Sequence, residues 1–289
     1  MPTALALSPH LDDAAFSCGG MLAALADAGW RVVLCTVFTA SVPNPTGFAL
    51  ACQIDKGLGP DVDYMALRRA EDVVAAAALG IEPPLWLPFR EAPHRGYDSA
   101  KALFAGVRPD DAIDRALAEA LHAVLSDAAP DLVLAPQAVG AHVDHIQVVR
   151  ALWRVQRDAP ALLWRDFPYT IREANPPEPF GSNMELLHHL TAAPTADQQE
   201  RKRRACRAYA SQLGFQFGGP ERLDALLAKA QETFRCERAL SLPFFGAHRP
   251  ASLGHAVIPY SVLELGVGPC FRGCEPSTQT SPDPTLVPI

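Results

Sequence analysis

Along its first 170 residues the chain alternates short, nearly all-apolar runs with longer stretches whose apolar positions recur at helical spacing. TALALS (3–8), RVVLCTVF (31–38), DLVLAP (131–136) and the opening of ALLWRDFPY (161–169) are of the first kind, which suits strands covered on both faces. PLWLPF (84–89) predicts a further short strand. GGMLAALADAG (19–29), YMALRRAEDVVAAAALG (64–80), DDAIDRALAEALHAVLSDA (110–128) and HVDHIQVVRALWRVQ (142–156) predict helices, the first two stopping on Gly29 and Gly80. Such alternation implies an α/β fold: a mostly parallel sheet with helices on both faces.

Two stretches depart from the rhythm. Residues 39 to about 63 carry several prolines and glycines and read as one long irregular loop, of the kind that forms lids or binding loops. Beyond about residue 175 the alternation weakens. TADQQERKRRACRAYASQL (195–213) and PERLDALLAKAQETF (220–234) predict two helices, and ERALSLPFF (237–245) an edge strand or return segment. The expected organisation is one domain over residues 1–265, followed by a Pro/Ser/Thr-rich tail over 266–289.

Composition narrows the functional classes. Hydrophobic residues make up 49% of the 289, enough for a sizeable core, which excludes a disordered chain. The formal charge of −7 argues against a nucleic-acid partner, because phosphate neutralisation needs clustered Lys and Arg. The one basic cluster, Arg201 to Arg204, reads as a solvated helix face. No window approaches the ~18 apolar residues of a membrane helix, and no basic segment precedes the first apolar run as in a leader peptide. Seven scattered cysteines favour a reducing compartment, hence the cytoplasm; the Cys270 and Cys274 pair matches no common zinc knuckle. A homo-oligomer is neither implied nor excluded.

The candidate chemistry lies at two strand ends. SPHLDDAAFSCGG follows the first strand with His10, Asp12 and Asp13, and APQAVGAHVDHIQ follows another with His142, Asp144 and His145. In an open parallel sheet ligands bind at the carboxyl ends of the strands, so the two clusters can converge on one crevice. Alone, Asp at a strand-to-helix turn is a common helix cap, and histidines three apart on a helix often face solvent. Together they make a two-His, one-carboxylate set from His10, Asp13 and His145, suited to Zn²⁺ or another divalent first-row ion such as Fe²⁺. Asp12 can then accept a proton from water, and His142 can stay off the metal and stabilise an oxyanion or protonate a leaving amine. Gly19-Gly20 fits a tight helix start better than a phosphate loop, since neither GxGxxG nor GxxxxGK[ST] is present. A serine-hydrolase elbow, G-x-S-x-G, is likewise absent.

These two segments resemble the marks of the PIG-L / LmbE-like zinc deacetylases, P-H-x-D-D after the first strand and a later H-x-D-H. A helical R-x-x-E-x-x-x-A-x-x-x-L-G pattern, here Arg68, Glu71, Ala75 and Leu79-Gly80, is similar to one found in that family. The resemblance covers roughly residues 3–170, with DFPY (166–169) and YASQ (209–212) as weaker echoes. One departure is Ala14, where many members carry Glu after the aspartate pair.

The resemblance implies a Rossmann-like three-layer sandwich with its active site at the strand carboxyl ends. It implies His10, Asp13 and His145 as metal ligands, Asp12 as general base and His142 as the group facing the tetrahedral intermediate. Arg68 would contact substrate unless it merely pairs with Glu71 or Asp72, Tyr169 would line the pocket, and Asp144 would orient a neighbouring histidine. The implied activity is metal-dependent removal of an N-acetyl group from an amino sugar, such as an N-acetylglucosamine derivative, with a small-molecule N-acetylated sugar or glycoconjugate as substrate and a homo-oligomer possible. The alternatives are a different metal-dependent hydrolase, acting on another amide or a phosphoester, and a non-catalytic sugar-binding relic. The loop FREAPHRGYDS (89–99) offers Arg90, His94, Arg95 and Tyr97 to a phosphate or sugar, although an ordinary polar loop is the simpler reading.

Overall fold

Four of the apolar runs form the middle of a single sheet in the computed structural model, which describes residues 1–238 and 240. The strands are β1 (Thr3–Ser8), β2 (Arg31–Thr36), β3 (Leu85–Trp86), β4 (Leu132–Pro136), β5 (Ala161–Trp164), β6 (His188–Thr191) and β7 (Thr233–Cys236). Their order is β3-β2-β1-β4-β5-β7-β6. The first five in this order are parallel; β7 runs antiparallel to β5 and to β6. β1 pairs with β2 on one side (Leu5 opposite Val33) and with β4 on the other (Leu5 opposite Val133).

Period-2 alternation sorts the strand side chains between two cores. Ala4, Ala6, Leu34, Leu134 and Trp164 pack with helices Asp13–Asp27, Tyr64–Leu79 and Ala196–Ala208. Leu5, Leu7, Val33, Val133 and Leu163 pack on the other face with helices Ile113–Ala128 and Val143–Arg154. Both faces being covered, each buried Leu or Val contributes roughly 1.5–3 kcal/mol over its exposed state, and no polar side chain is needed to meet water. The result is the expected three-layer α/β sandwich. The strand order reverses between the parallel neighbours β1 and β4, and the crevice outside their carboxyl ends is where such sheets bind ligands.

Several boundaries differ from expectation. The stretch 39–63 is not wholly irregular, because Gly47–Ile54 forms a helix within it. PLWLPF contracts to Leu85–Trp86, both exposed on the outer edge. Residues 195–213 divide at Tyr209 into helices Ala196–Ala208 and Ala210–Phe217. The helix expected over 220–234 ends at Leu227 and gives way to β7. β7 thus supplies a return segment at 233–236; of the one expected over 237–245, residues 239 and 241–245 lie outside the described residues. Cys270, Cys274 and the 266–289 tail lie outside the described residues.

The first helix starts earlier than its apolar spacing suggests, at Asp13, and breaks at Cys18 (φ −140°, ψ 22°). The N–H groups of Gly20 and Met21, freed by the break, donate to the two carboxylate oxygens of Glu232, each at 2.8 Å. Lys202 Nζ meets the same carboxylate at 2.7 Å. A Cβ on Gly20 would stand 3.0 Å from Glu232 Oε1 and 3.1 Å from Pro194, so the glycine makes room for this internal anion. Arg201–Arg204 is thus not simply a solvated face: Lys202 is buried, while Arg201 pairs with Asp27 and Arg203 with Glu200 and Asp224.

Candidate active site

Neither aspartate of the first motif is spent on capping. Asp12 occupies the N-cap position without a side-chain hydrogen bond to the helix, and Ser8 Oγ accepts the Ala14 N–H at 3.0 Å instead. Asp13 Oδ2 accepts the His10 backbone N–H at 2.8 Å and lies 3.1 Å from His10 Nδ1 and 3.2 Å from His145 Nε2.

The far nitrogens of both rings are held by carboxylates. His10 Nε2 lies 2.9 Å from Asp144 Oδ2, and His145 Nδ1 lies 2.7 Å from Asp166 Oδ1. A carboxylate only accepts, so in the neutral rings the proton sits on His10 Nε2 and His145 Nδ1. Two bare ring nitrogens and a carboxylate oxygen then face one another. His145 Nε2, fully buried, makes no hydrogen bond at all. Such a donor set suits a divalent transition metal, and carboxylates behind the imidazoles are the usual means of fixing ligand tautomers.

The charges agree. Burial alone would lower the pKa of His145, but Asp13 and Asp166 draw it up to about 9. His10 is likewise raised, against its burial, by Asp13 and Asp144, while Asp13 is held well below the usual carboxylate range by His145 and His10 despite burial. The site is built to hold positive charge.

His142 lies beside this set, its nearest ring nitrogen within 4.8 Å of one on His10 and one on His145. Its hydrogen bond separates it from them. As N-cap of helix Val143–Arg154, its Nδ1 accepts the Asp144 N–H at 3.2 Å, which places its own proton on Nε2. Burial and the neighbouring histidines push its pKa down to about 3. In that tautomer its Nε2–H is free to donate, while the ring nitrogens of His10, His142 and His145 also lie close enough together to hold one ion. The loop before it is strained, with Ala138 and Ala141 in the left-handed region at φ 61° and 63°.

Asp12 makes its contacts with other groups than the three converging donors. Gln216 Nε2 donates to its Oδ2 at 3.1 Å, and Arg68 Nη2 is 3.4 Å from its Oδ1. Burial raises its pKa to about 7, although Arg68 opposes the shift. A carboxylate tuned to that value suits a proton acceptor near neutral pH. Tyr169 stands edge-on to His145, ring centroids 5.8 Å apart, and closes the site on that side.

Arg68 does not form the surface pair that is one of its two sequence expectations. It is buried at 4% exposure, and its guanidinium is engaged by Asp12, by Glu91 at 2.7 Å and by Leu11 O at 3.2 Å. It does not pair with Glu71 or Asp72: Glu71 receives Ser211, and Asp72 receives Thr36, Trp86 and Tyr209. Asp144 does orient a histidine, but the distant His10 and not a chain neighbour. From the 89–99 loop, Arg95 is committed to Asp111 at 2.9 Å and Asp144 at 2.8 Å, and Tyr97 to Asp111. Sequence reasoning did not identify Asp166, Glu91 or Gln216; only the DFPY echo pointed towards Asp166.

With this geometry in place, comparison with known proteins is decisive. The family model described as GlcNAc-PI de-N-acetylase (PIG-L) matches residues 5–156, more than half of the chain. The chain belongs to the PIG-L family. A 2'-N-acetylparomamine deacetylase of Streptomyces fradiae is 36% identical over 194 residues, spanning 62% of this chain and 65% of that protein, just under two thirds of its length. Among solved structures, the zinc-inhibited form of the teicoplanin deacetylase Orf2 is similar at TM-score 0.69 and 26% identity, covering 81% of this chain and 97% of that one. The A40926 pseudoaglycone deacetylase Dbv21 gives TM-score 0.67 and 28% identity, covering 83% and 98%. The match of residues 5–156 takes in every candidate metal donor of this PIG-L chain but neither Asp166 nor Gln216. No helix among the described residues is long and apolar enough to cross a membrane.

Proposed function

We propose that this PIG-L family member is a metal-dependent N-deacetylase that hydrolyses the acetamido group of an amino sugar. The single observation that carries the reading is the convergence of His10 Nδ1, Asp13 Oδ2 and His145 Nε2, each imidazole backed by a carboxylate, with the adjacent carboxylate Asp12 left out of that set. The named deacetylases among the relatives support the substrate class.

His10, Asp13 and His145 would hold the ion. A divalent metal held there would supply Lewis acidity, polarising the amide carbonyl and making water more acidic. Asp12, steadied by Arg68 and Gln216, takes the proton from the attacking water. His142 Nε2–H donates to the carbonyl oxygen as negative charge builds on it. Asp12 then passes the proton to the amine nitrogen as the C–N bond breaks, and once the new carboxyl group also gives its proton to the amine, water and amide have become acetate and an ammonium group. Zinc is the proposed ion, with ferrous iron the alternative. The five free thiols among the described residues support placement in a reducing cytoplasm.

The test is elemental analysis of the purified protein followed by acetate release from a panel of N-acetylated amino sugars. About one metal per chain, lost in His145→Ala, together with acetate release is the expected result. Wild type that takes up no metal on reconstitution overturns the reading.

A further inference from the structure

His142 and Tyr169 share a neighbour that the proposed chemistry leaves unused. Phe104 ends the short helix Ala100–Phe104, and its ring centroid lies 5.3 Å from that of His142 and 5.9 Å from that of Tyr169. The interplanar angles are 80° and 67°, so neither partner stacks on it, and the residue stays 42% exposed. A single exposed phenyl on a surface needs no account. This one leans directly on a buried histidine at the reaction centre.

The segment that carries it is tied down on its inner side. Tyr97, buried beneath, donates to Asp111 at 2.9 Å and accepts the Arg108 backbone N–H at 3.1 Å. Arg108 Nη1 reaches back to Gly96 O at 2.6 Å. Ala102, Leu103 and Val107 pack against buried Ala92, Tyr97 and Val143. A fixed aromatic ring held open beside polar groups is how binding sites combine orientation with apolar contact.

We propose that Phe104 is a substrate-binding residue, a platform for the flat C–H face of a pyranose ring whose acetamido group reaches His142. This rests on the deacetylase reading and adds the part of the substrate that is recognised. A pyranose has such a face; its open-chain form keeps the acetamido and hydroxyl groups but loses it.

The experiment compares kcat/KM for N-acetylglucosamine and for its borohydride-reduced alditol in wild type, Phe104→Ala and Phe104→Trp, all metal-loaded. The ring-over-chain preference should fall about tenfold in Phe104→Ala, the scale of one aromatic contact, and persist in Phe104→Trp. An unchanged preference in Phe104→Ala overturns the platform, and equal losses on both compounds overturn it as well, because they mark Phe104 as a brace. If wild type hydrolyses neither compound, the N-acetylglucosamine-type reading fails and the platform fails with it.

Discussion

Asp166 grips His145 through Nδ1 at 2.7 Å, and its other oxygen takes the Val139 backbone N–H at 2.9 Å. One carboxylate thus sets both the ring's tautomer and the loop that leads to it. Asp166→Asn should weaken metal binding about 10–100-fold without unfolding the protein, since the amide can offer Nδ1 a donor in place of an acceptor. Chelator competition measures the affinity; unchanged affinity would remove Asp166 from the site's design.

Asp12 and His142 should separate chemistry from metal binding. Asp12→Ala is expected to keep its metal and lose about 10²–10⁴ in kcat. His142→Ala should cost about 10²–10³ in kcat, again with metal retained, because its Nδ1 lone pair is already given to the Asp144 N–H. Metal analysis beside steady-state rates decides both. Loss of metal in His142→Ala would make it a ligand.

Gly140 lies at φ 92°, and a Cβ there would stand 2.6 Å from Tyr169 Cδ1 and overlap the ring further at Cγ. Gly140→Ala therefore meets both backbone strain and a clash with an aromatic ring that closes the site. The expected cost is about 2–4 kcal/mol of stability, with turnover impaired through displaced Tyr169. Thermal unfolding and kinetics report the two effects separately.

Asp111 provides a pH signature away from the metal donors. Arg95 and Tyr97 hold its pKa below the ordinary value although burial opposes them. The folded state then binds fewer protons than the unfolded chain, so this stabilisation is complete above the unfolded carboxylate pKa and fades as pH falls through the folded one. Asp111→Asn should destabilise by about 1–3 kcal/mol at pH 7 and by progressively less in acid. Unfolding of both proteins from pH 7 down to about 3 tests the sign; a gap that widens in acid would contradict it.

The parts legible in the sequence are those governed by local pattern. β1, β2, β4 and β5 appear as apolar runs because both faces are covered, and the two histidine-aspartate clusters follow two of those runs. What escaped depends on distant partners. Arg68 looked like half of an i,i+3 pair with Glu71, but that face of helix Tyr64–Leu79 is buried, and tertiary neighbours took over both side chains. β6 and β7 are four residues each at one side of the sheet, too short to show a period. Asp166 sits just past a strand end, where a carboxylate resembles any loop residue until the fold brings His145 to it.

The break at Cys18 has a consequence for where this protein can be cut. Gly20 and Met21 belong to the stretch that matches the family model, residues 5–156, yet the acceptor for their N–H groups, Glu232, comes from 76 residues beyond its end. Each donor left buried without that acceptor costs about 1–3 kcal/mol. Stripped of its later elements, the recognisable half would keep all the candidate metal donors but leave an open seam in its first helix, so the minimal folding unit is larger than the signature by which its kin are known.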